Sequence, residues 1–367
     1  MTERGVALPT KKRIKIWVMT HRKFNEPADP AYVPLHVGKA IGEDLGYIGD
    51  DTGDQISAQN IYYGELTGQY WAAENVHDAE YMGICHYRRF FLNRKHQIMS
   101  GDEYLELLKD YDILIPEAIR HPQSYYETFA QAHNIQDLDA TGRALKELYP
   151  DAFPIYQGLV EGNEVHSSNM FVASSELFRE YTEWLFSIFR LAEKEIDVSG
   201  YDEYHRRVYG FLSEQLNYVW IKWKGLKYCE IPIGITQEKA ETVELKKRLA
   251  EEVRKGDPNC GGRALGIFRE VMGRRPDVML GASDLSGDLA DMFRVLYVLD
   301  KEQQEEPAKC MLRITNELDQ LILHYRLVTR IISSMNGGNA STEEIDYLRD
   351  ADISNAMKNQ IMNMMEV

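Results

Sequence analysis

The stretch that decides the fold is Glu80–Phe91, EYMGICHYRRFF. Tyr81–Cys85 is a short apolar run of the kind that forms a buried strand. It ends abruptly in His86, Tyr87, Arg88 and Arg89. Strands of open α/β sheets end at the crevice where ligands bind. Two adjacent arginines there are costly unless an anion meets them, and a phosphate-bearing ligand is the natural candidate. On a continuing strand alternate side chains face opposite sides. That places His86 and Arg88 on one face, Tyr87 and Arg89 on the other. A surface salt bridge is the competing reading. For His-Tyr-Arg-Arg directly after an apolar strand, the ligand reading leads.

Working outward, strands alternate with helices. Ile14–Met19 reads as a first strand, and Thr20–Gly53 as loop with brief structure. Ser57–Asn75 has helical spacing, with Ser57 as a plausible N-cap. Asp102–Leu108 reads as helix, Asp112–Pro116 as a strand stopped by proline, and Tyr125–Tyr149 as largely helical. Ser168–Ala173 reads as a strand, Ser175–Ile196 as an amphipathic helix, Tyr209–Trp223 as a helix and Tyr228–Ile233 as a late strand. This alternation implies an α/β sheet flanked by helices. After about Thr236 the pattern changes. Lys239–Lys255 reads as a highly charged helix, and Pro258–Gly287 is broken by Gly and Pro. Phe293–Asn336 and Ser341–Glu366 are helical again. The expected organisation is a polar tail (1–13), a catalytic-type α/β domain (14–236), a charged helical linker (237–259) and a mainly helical C-terminal appendage (260–367).

Composition bounds the function. The 367 residues are 44% hydrophobic and 27% charged, which predicts a packed core rather than disorder. A net charge of −16 argues against nonspecific binding along nucleic acid. The four cysteines are scattered, with no zinc-type spacing, and fit free thiols in a reducing cytosol. No signal-peptide pattern and no apolar run of about 18 residues occurs, so neither a leader nor a membrane span is expected.

Three further constellations carry polar chemistry. Gly49–Ser57, GDDTGDQIS, sets Asp50, Asp51 and Asp54 within five positions. It reads either as a ligand-contacting loop or as a turn with an N-cap. An EF-hand is excluded, because Asp50 at position 1 puts Ile61 at position 12. Glu214, in GFLSEQL, reads as a general base tuned by partial burial or as a carboxylate favoured at a helix N-terminus. Asn169, in HSSNMF, reads as an acceptor contact or a turn.

Together these segments resemble a family of bacterial capsular and exopolysaccharide synthesis proteins, long catalogued as an uncharacterised domain and now treated as glycosyltransferases. The matching pieces are YVPLHVG (Tyr32–Gly38), GDDTGDQIS, YYGELTGQYWAAEN (Tyr62–Asn75), YMGICHYRRFF, DILIP, SSNMFVA and RVYGFLSEQL (Arg207–Leu216). They fit in order over roughly 14–235. Asp51 and Gln55 depart from the family's GDNxGDNIS pattern, which bears most on Asp51. The resemblance implies a GT-A-like, Rossmann-related fold. It implies transfer of a hexosyl unit, galactofuranosyl or galactosyl, from a UDP-sugar to a glycan or lipid-linked glycan acceptor, with inversion. It implies Glu214 as base, with Asp202 and Glu203 as competitors. Donor contacts fall to Asp50, Asp51, Asp54, Asn60, His86, Arg88 and Arg89, and acceptor contacts to Asn169 and Asp202. His86-Tyr87-Arg88 occupies the place of the usual Asp-x-Asp, so fixed cations replace a metal and no cofactor is expected. Mn2+ or Mg2+ on the three aspartates is the alternative. The setting implied is cytoplasmic, at the inner face of the membrane, with peripheral membrane contact or self-association through the C-terminal helices. A non-catalytic carbohydrate-binding scaffold or a sugar-nucleotide hydrolase are the rival readings.

Overall fold

The computed structural model describes residues 14–365, with side chains described as far as 363. The expected polar tail, 1–13, lies outside the described residues. The chain divides into two compact units, 1–236 and 237–367.

The first unit is built on one sheet. Its strands are β1 (Ile14–Thr20), β2 (Tyr32–His36), β3 (Ile48–Gly49), β4 (Tyr81–His86), β5 (Arg89–Phe91) and β6 (Ile113–Pro116). A small separate pair follows, β7 (Ile119–Arg120) and β8 (Glu164–Val165), and then β9 (Phe171–Ser174), β10 (Tyr228–Ile231) and β11 (Ile233–Ile235). The sheet order is β10-β6-β9-β4-β1-β2-β3, with β5 and β11 added at the end of β4. β1 runs parallel to β2 and β4, and β6 parallel to β10. β9 is antiparallel to both of its neighbours. The parallel strands therefore end together, at His36, His86, Pro116 and Ile231.

Both faces of this sheet are covered, as a largely parallel sheet requires. In β1, Trp17 and Met19 enter one core while Ile16 and Val18 enter the other. The first core is closed by α1 (Asn60–Tyr63) and α2 (Leu66–Asn75). The second face is closed by α3 (Gly101–Leu107), through Tyr104. α4 (Tyr125–Ala132), α5 (Ile135–Leu148), α6 (Phe153–Glu161), α7 (Ser175–Ala192) and α8 (Val208–Lys224) complete the first core.

Three expectations are corrected. Ser57 caps no helix. It lies in a short 3-10 turn, and its hydroxyl donates to Asp50. The helix expected over Ser57–Asn75 is split at Gly64, whose φ of 56° lies in the left-handed region that favours glycine. The strand expected from Ser168 begins only at Phe171, because Ser168 and Asn169 have φ of 89° and 48°.

Among the described residues the second unit is helical. It holds α9 (Ala240–Arg254), α10 (Cys260–Arg274), α11 (Asp288–Glu305), α12 (Leu318–Asn336), α13 (Thr342–Asp350) and α14 (Asn355–Met365). α9, where the linker was expected, contributes Leu245, Leu249 and Val253 to this unit's own core. α10 passes through the segment expected to be broken by glycine. Burial of Cys260, Ala264, Leu265 and Phe268 along one face overrides their helix-weakening effect. Among the described residues, no helix is long and apolar enough to cross a membrane.

Gly83 gives a test of the sheet. An added Cβ would lie 2.7 Å from Val172 Cγ2 and 2.8 Å from Ile16 Cδ1. Gly83→Ala should destabilise the first unit by ~1–3 kcal/mol in chemical denaturation, through overpacking. Gly158→Ala in α6, where nothing lies within 4 Å, should be neutral or stabilising by up to ~1 kcal/mol. Equal effects of the two substitutions would contradict the packing described.

Candidate active site

At the end of β4 the chain does not continue straight. Tyr87 and Arg88 form a tight turn, and β5 returns antiparallel. His86 and Arg89 become a directly opposed pair, and opposed residues share a face. The expected pairing of His86 with Arg88 is thus corrected: Arg89 joins His86. Arg88 sits in the turn, only 6% exposed, and its carbonyl accepts from the Thr236 amide at 3.0 Å.

His86 Nε2 lies 2.6 Å from the Ser168 carbonyl oxygen. A carbonyl only accepts, so Nε2 carries the proton and the tautomer is set. The Ser168 amide donates to Glu214 Oε1 at 3.3 Å. One residue in left-handed conformation thus holds both His86 and Glu214. Such conformations persist where the surroundings enforce them.

Next to it, Asn169 Nδ2 donates to Glu65 Oε1 at 2.8 Å and to the Gly210 carbonyl at 2.9 Å. Asn169 Oδ1 accepts from Ser213 Oγ at 2.8 Å. Arg207 lies 3.7 Å from Glu65 Oε2. Four segments meet here: the α1–α2 break, the β4–β5 turn, the 166–170 loop and the start of α8. Glu65, His86 and Glu214 each keep a partial opening to solvent.

The electrostatics separate the two carboxylates. Burial disfavours the charge on Glu65, but His86, Arg207 and the Asn169 amide together hold its pKa below the ordinary value. Burial pushes Glu214 from 4.5 up to about 7; Arg89 offsets part of this, and the charge of Glu65 adds to it. Burial also lowers the pKa of His86 below 6.5; Glu65 opposes this, while Arg89 and Arg88 reinforce it. Near neutral pH the site therefore holds an anionic Glu65, a neutral His86 and a Glu214 poised between its two forms.

The aspartate loop lies differently from expectation. Asp50 is fully buried. Its Oδ2 accepts from the Gly38 amide at 2.9 Å and Thr67 Oγ1 at 2.6 Å. Its Oδ1 accepts from the Lys39 amide at 3.2 Å and from Ser57 Oγ. Both oxygens are engaged in tying the loop to α2, a bracing role that the sequence reading did not give Asp50. Asp51 is half-buried and Asp54 exposed, the latter accepting from Tyr70 at 3.1 Å. Asn60, half-buried, donates from Nδ2 to the Gly64 carbonyl at 2.6 Å and to Thr67 at 3.1 Å, bracing the helix break. Asp202 is exposed and braces its own turn through the Tyr204 and His205 amides, at 2.9 and 2.8 Å. Of the residues expected from sequence, the fold gathers His86, Arg89, Asn169 and Glu214.

Glu65, Arg207, Ser168 and Ser213 were not singled out from sequence as site residues. Glu65 had a legible signal, an acidic residue directly after a glycine in an otherwise apolar helical pattern. Ser168 acts through its backbone and has no side-chain signature.

The sheet order, with one antiparallel strand set among parallel ones and the polar cluster at the strand ends, is that of a GT-A-like fold. Over residues 15–225, more than half of the chain, the sequence matches the family described as a domain of unknown function (DUF4422), and the chain belongs to that family. A solved structure described as the apo form of the bifunctional glycosyltransferase WbbM is similar, with 27% identity and a TM-score of 0.56 over 62% of this chain and 46% of that one. This chain therefore spans less than half the length of that protein. No curated protein matches the chain.

The raised Glu214 pKa sets a sign for stability. A carboxyl with a folded pKa of about 7 contributes stability that is complete below its unfolded pKa of 4.5 and is lost as pH rises through 7. Glu214→Gln removes that loss. The variant should match the parent near pH 4.5 and exceed it by ~1–3 kcal/mol at pH 8 in denaturant unfolding. A variant destabilised equally at both pH values would contradict the assigned environment.

Proposed function

We propose that this crevice transfers a hexosyl unit from a UDP-sugar to a glycan or lipid-linked glycan acceptor, with inversion, in surface polysaccharide synthesis. The observation that carries the reading is the pair of carboxylates, Glu65 and Glu214, gathered with His86 and Arg89 in one crevice whose surroundings shift their pKa values in opposite directions. Environments that push two titratable groups apart mark acid and base roles. The similarity to WbbM supports glycosyl transfer as the chemistry.

In this mechanism Glu214 takes the proton from the acceptor hydroxyl. The hydroxyl oxygen attacks the anomeric carbon as the bond to the diphosphate oxygen breaks. The nucleoside diphosphate leaves with the bonding electrons, through an oxocarbenium-like transition state. Arg89, with Arg88 behind it, meets the charge that develops on the leaving group, without a metal on the diphosphate. Glu65 and Asn169 hold the sugar or acceptor hydroxyls. Neutral His86 keeps the Ser168 peptide in place, and so keeps Glu214 aimed. The helical unit is assigned to docking, on the acceptor's membrane face or on a second copy, rather than to chemistry.

The test is transfer from a panel of UDP-hexoses to glycan acceptors. Glu214→Gln should lower kcat by ~10²–10⁴-fold with donor affinity preserved. The parent's kcat/KM should rise with pH to a plateau above an apparent pKa near 7. Asp202→Asn and Glu203→Gln should turn over normally. Near-normal turnover by Glu214→Gln would contradict the base assignment. Release of free hexose at the same rate with and without acceptor would contradict transfer.

Arg89→Ala should weaken UDP-sugar use by more than the ~0–1 kcal/mol typical of an exposed salt bridge, with the fold intact by thermal melting. Unchanged kinetics would remove Arg89 from the donor site.

A further inference from the structure

A second polar cluster stands at the β10 edge of the sheet. Glu164 of β8, His166 just beyond it and Glu230 of β10 place three ligand-type atoms within 4.8 Å of one another. β10 and β4 are separated by β6 and β9, three strand spacings or ~14 Å. The cluster is therefore distinct from the His86–Arg89 turn.

Its histidine is unusual. The His166 side chain is only 2% exposed, and its ring packs against Tyr218 at a tilt of 34°, with centroids 3.9 Å apart. Nε2 lies 2.8 Å from Glu230 Oε1, so that nitrogen donates to the carboxylate. Nδ1 is buried with no hydrogen-bond partner. Nε2 is therefore the nitrogen that faces the carboxylates. The two carboxylates, by contrast, each keep 35% of their side-chain surface in solvent. Among the described residues, the Glu164 carboxylate is otherwise met by Arg120, at 3.3 Å, whose side chain is 79% exposed. A deep imidazole thus lies beside two half-exposed carboxylates.

We propose that Glu164, His166 and Glu230 bind a first-row divalent transition cation, with Zn2+ foremost. One imidazole and two carboxylates are a ligand set suited to such cations, and the imidazole disfavours Mg2+ and Ca2+. Cation–ligand bonds of ~2.0–2.2 Å require only small side-chain movements from the present spacing. Three protein ligands leave at least one coordination position open to water or to a ligand hydroxyl. The cation would also anchor residue 166, two positions before the Ser168 peptide that holds His86 and Glu214. Binding is independent of the transfer reading and is measured without turnover.

The experiment uses the full chain, stripped with EDTA and titrated with Co2+ and then Zn2+, followed by calorimetry and absorption. One equivalent of Co2+ should bind with weak visible bands and no intense near-ultraviolet thiolate band, and Zn2+ should displace it while Mg2+ does not. Glu164→Gln and Glu230→Gln, both partly exposed and checked for folding by thermal melting, should each weaken binding at least as much as loss of an outer-shell partner does, ~10–100-fold. Cys229→Ser, beside Glu230, should bind as the parent does. Undiminished binding in both glutamine variants, a thiolate band, or no saturable binding would overturn the proposal.

Discussion

Two carboxylates that share one crevice cannot both ionise at ordinary cost, and the site is organised around that constraint. Glu65 receives the cationic and amide partners, Arg207 and Asn169, and keeps its charge. Glu214 is left with one backbone amide and a distant share of Arg89, so burial governs it. The difference arises from the backbone. Gly64 breaks the helix and turns Glu65 inward, while Ser168 and Asn169 adopt left-handed conformations that point one peptide at two partners. The left-handed conformations of Ser168 and Asn169 are unfavourable by themselves and are maintained by the structure packed around them.

That sheet explains why the cluster forms where it does. β4 is central, buried on both faces, and its apolar run can end only where the sheet ends. The polar residues that follow are expelled to the rim together with the ends of β1, β2 and β6. The tight turn at Tyr87–Arg88 then folds β5 back, so that Arg89, rather than Arg88, stands beside His86. Burial of Asp50 serves the same architecture. It satisfies two loop amides and two hydroxyls and fixes the loop that leads into α2.

Much of this was legible in the sequence. The apolar runs at Ile14–Met19, Tyr81–Cys85, Asp112–Pro116 and Tyr228–Ile233 mark strands because buried parallel strands need uninterrupted apolar residues. The amphipathic spacing of Ser175–Ile196 marks α7 for the same reason. The strand-end segment His86–Arg89 and Glu214, both marked in the sequence, are brought together by the fold. What was hidden is non-local. A two-residue reversal inverts the facing of Arg88 and Arg89, and period-2 reasoning has no means of seeing it. Glu65 gains much of its meaning from Asn169 and Arg207, more than a hundred residues away. The burial of Asp50, in the most conspicuous acidic motif, was hidden because a carboxylate satisfied by loop amides looks the same in sequence as one that awaits a ligand. The glycines of α10 looked like breaks because local propensity is weaker than the core that surrounds them.

The central claim, that Glu214 is held near neutrality by burial and by the charge of Glu65, is open to one direct measurement. Carbon-13 NMR of the glutamate side-chain carboxyls, with the Glu214 resonance assigned by its loss in Glu214→Gln, reports its titration in the intact chain. The account predicts a midpoint near 7, moving down when Glu65 is replaced by glutamine. A midpoint near the ordinary 4.5, unmoved by Glu65→Gln, would contradict it.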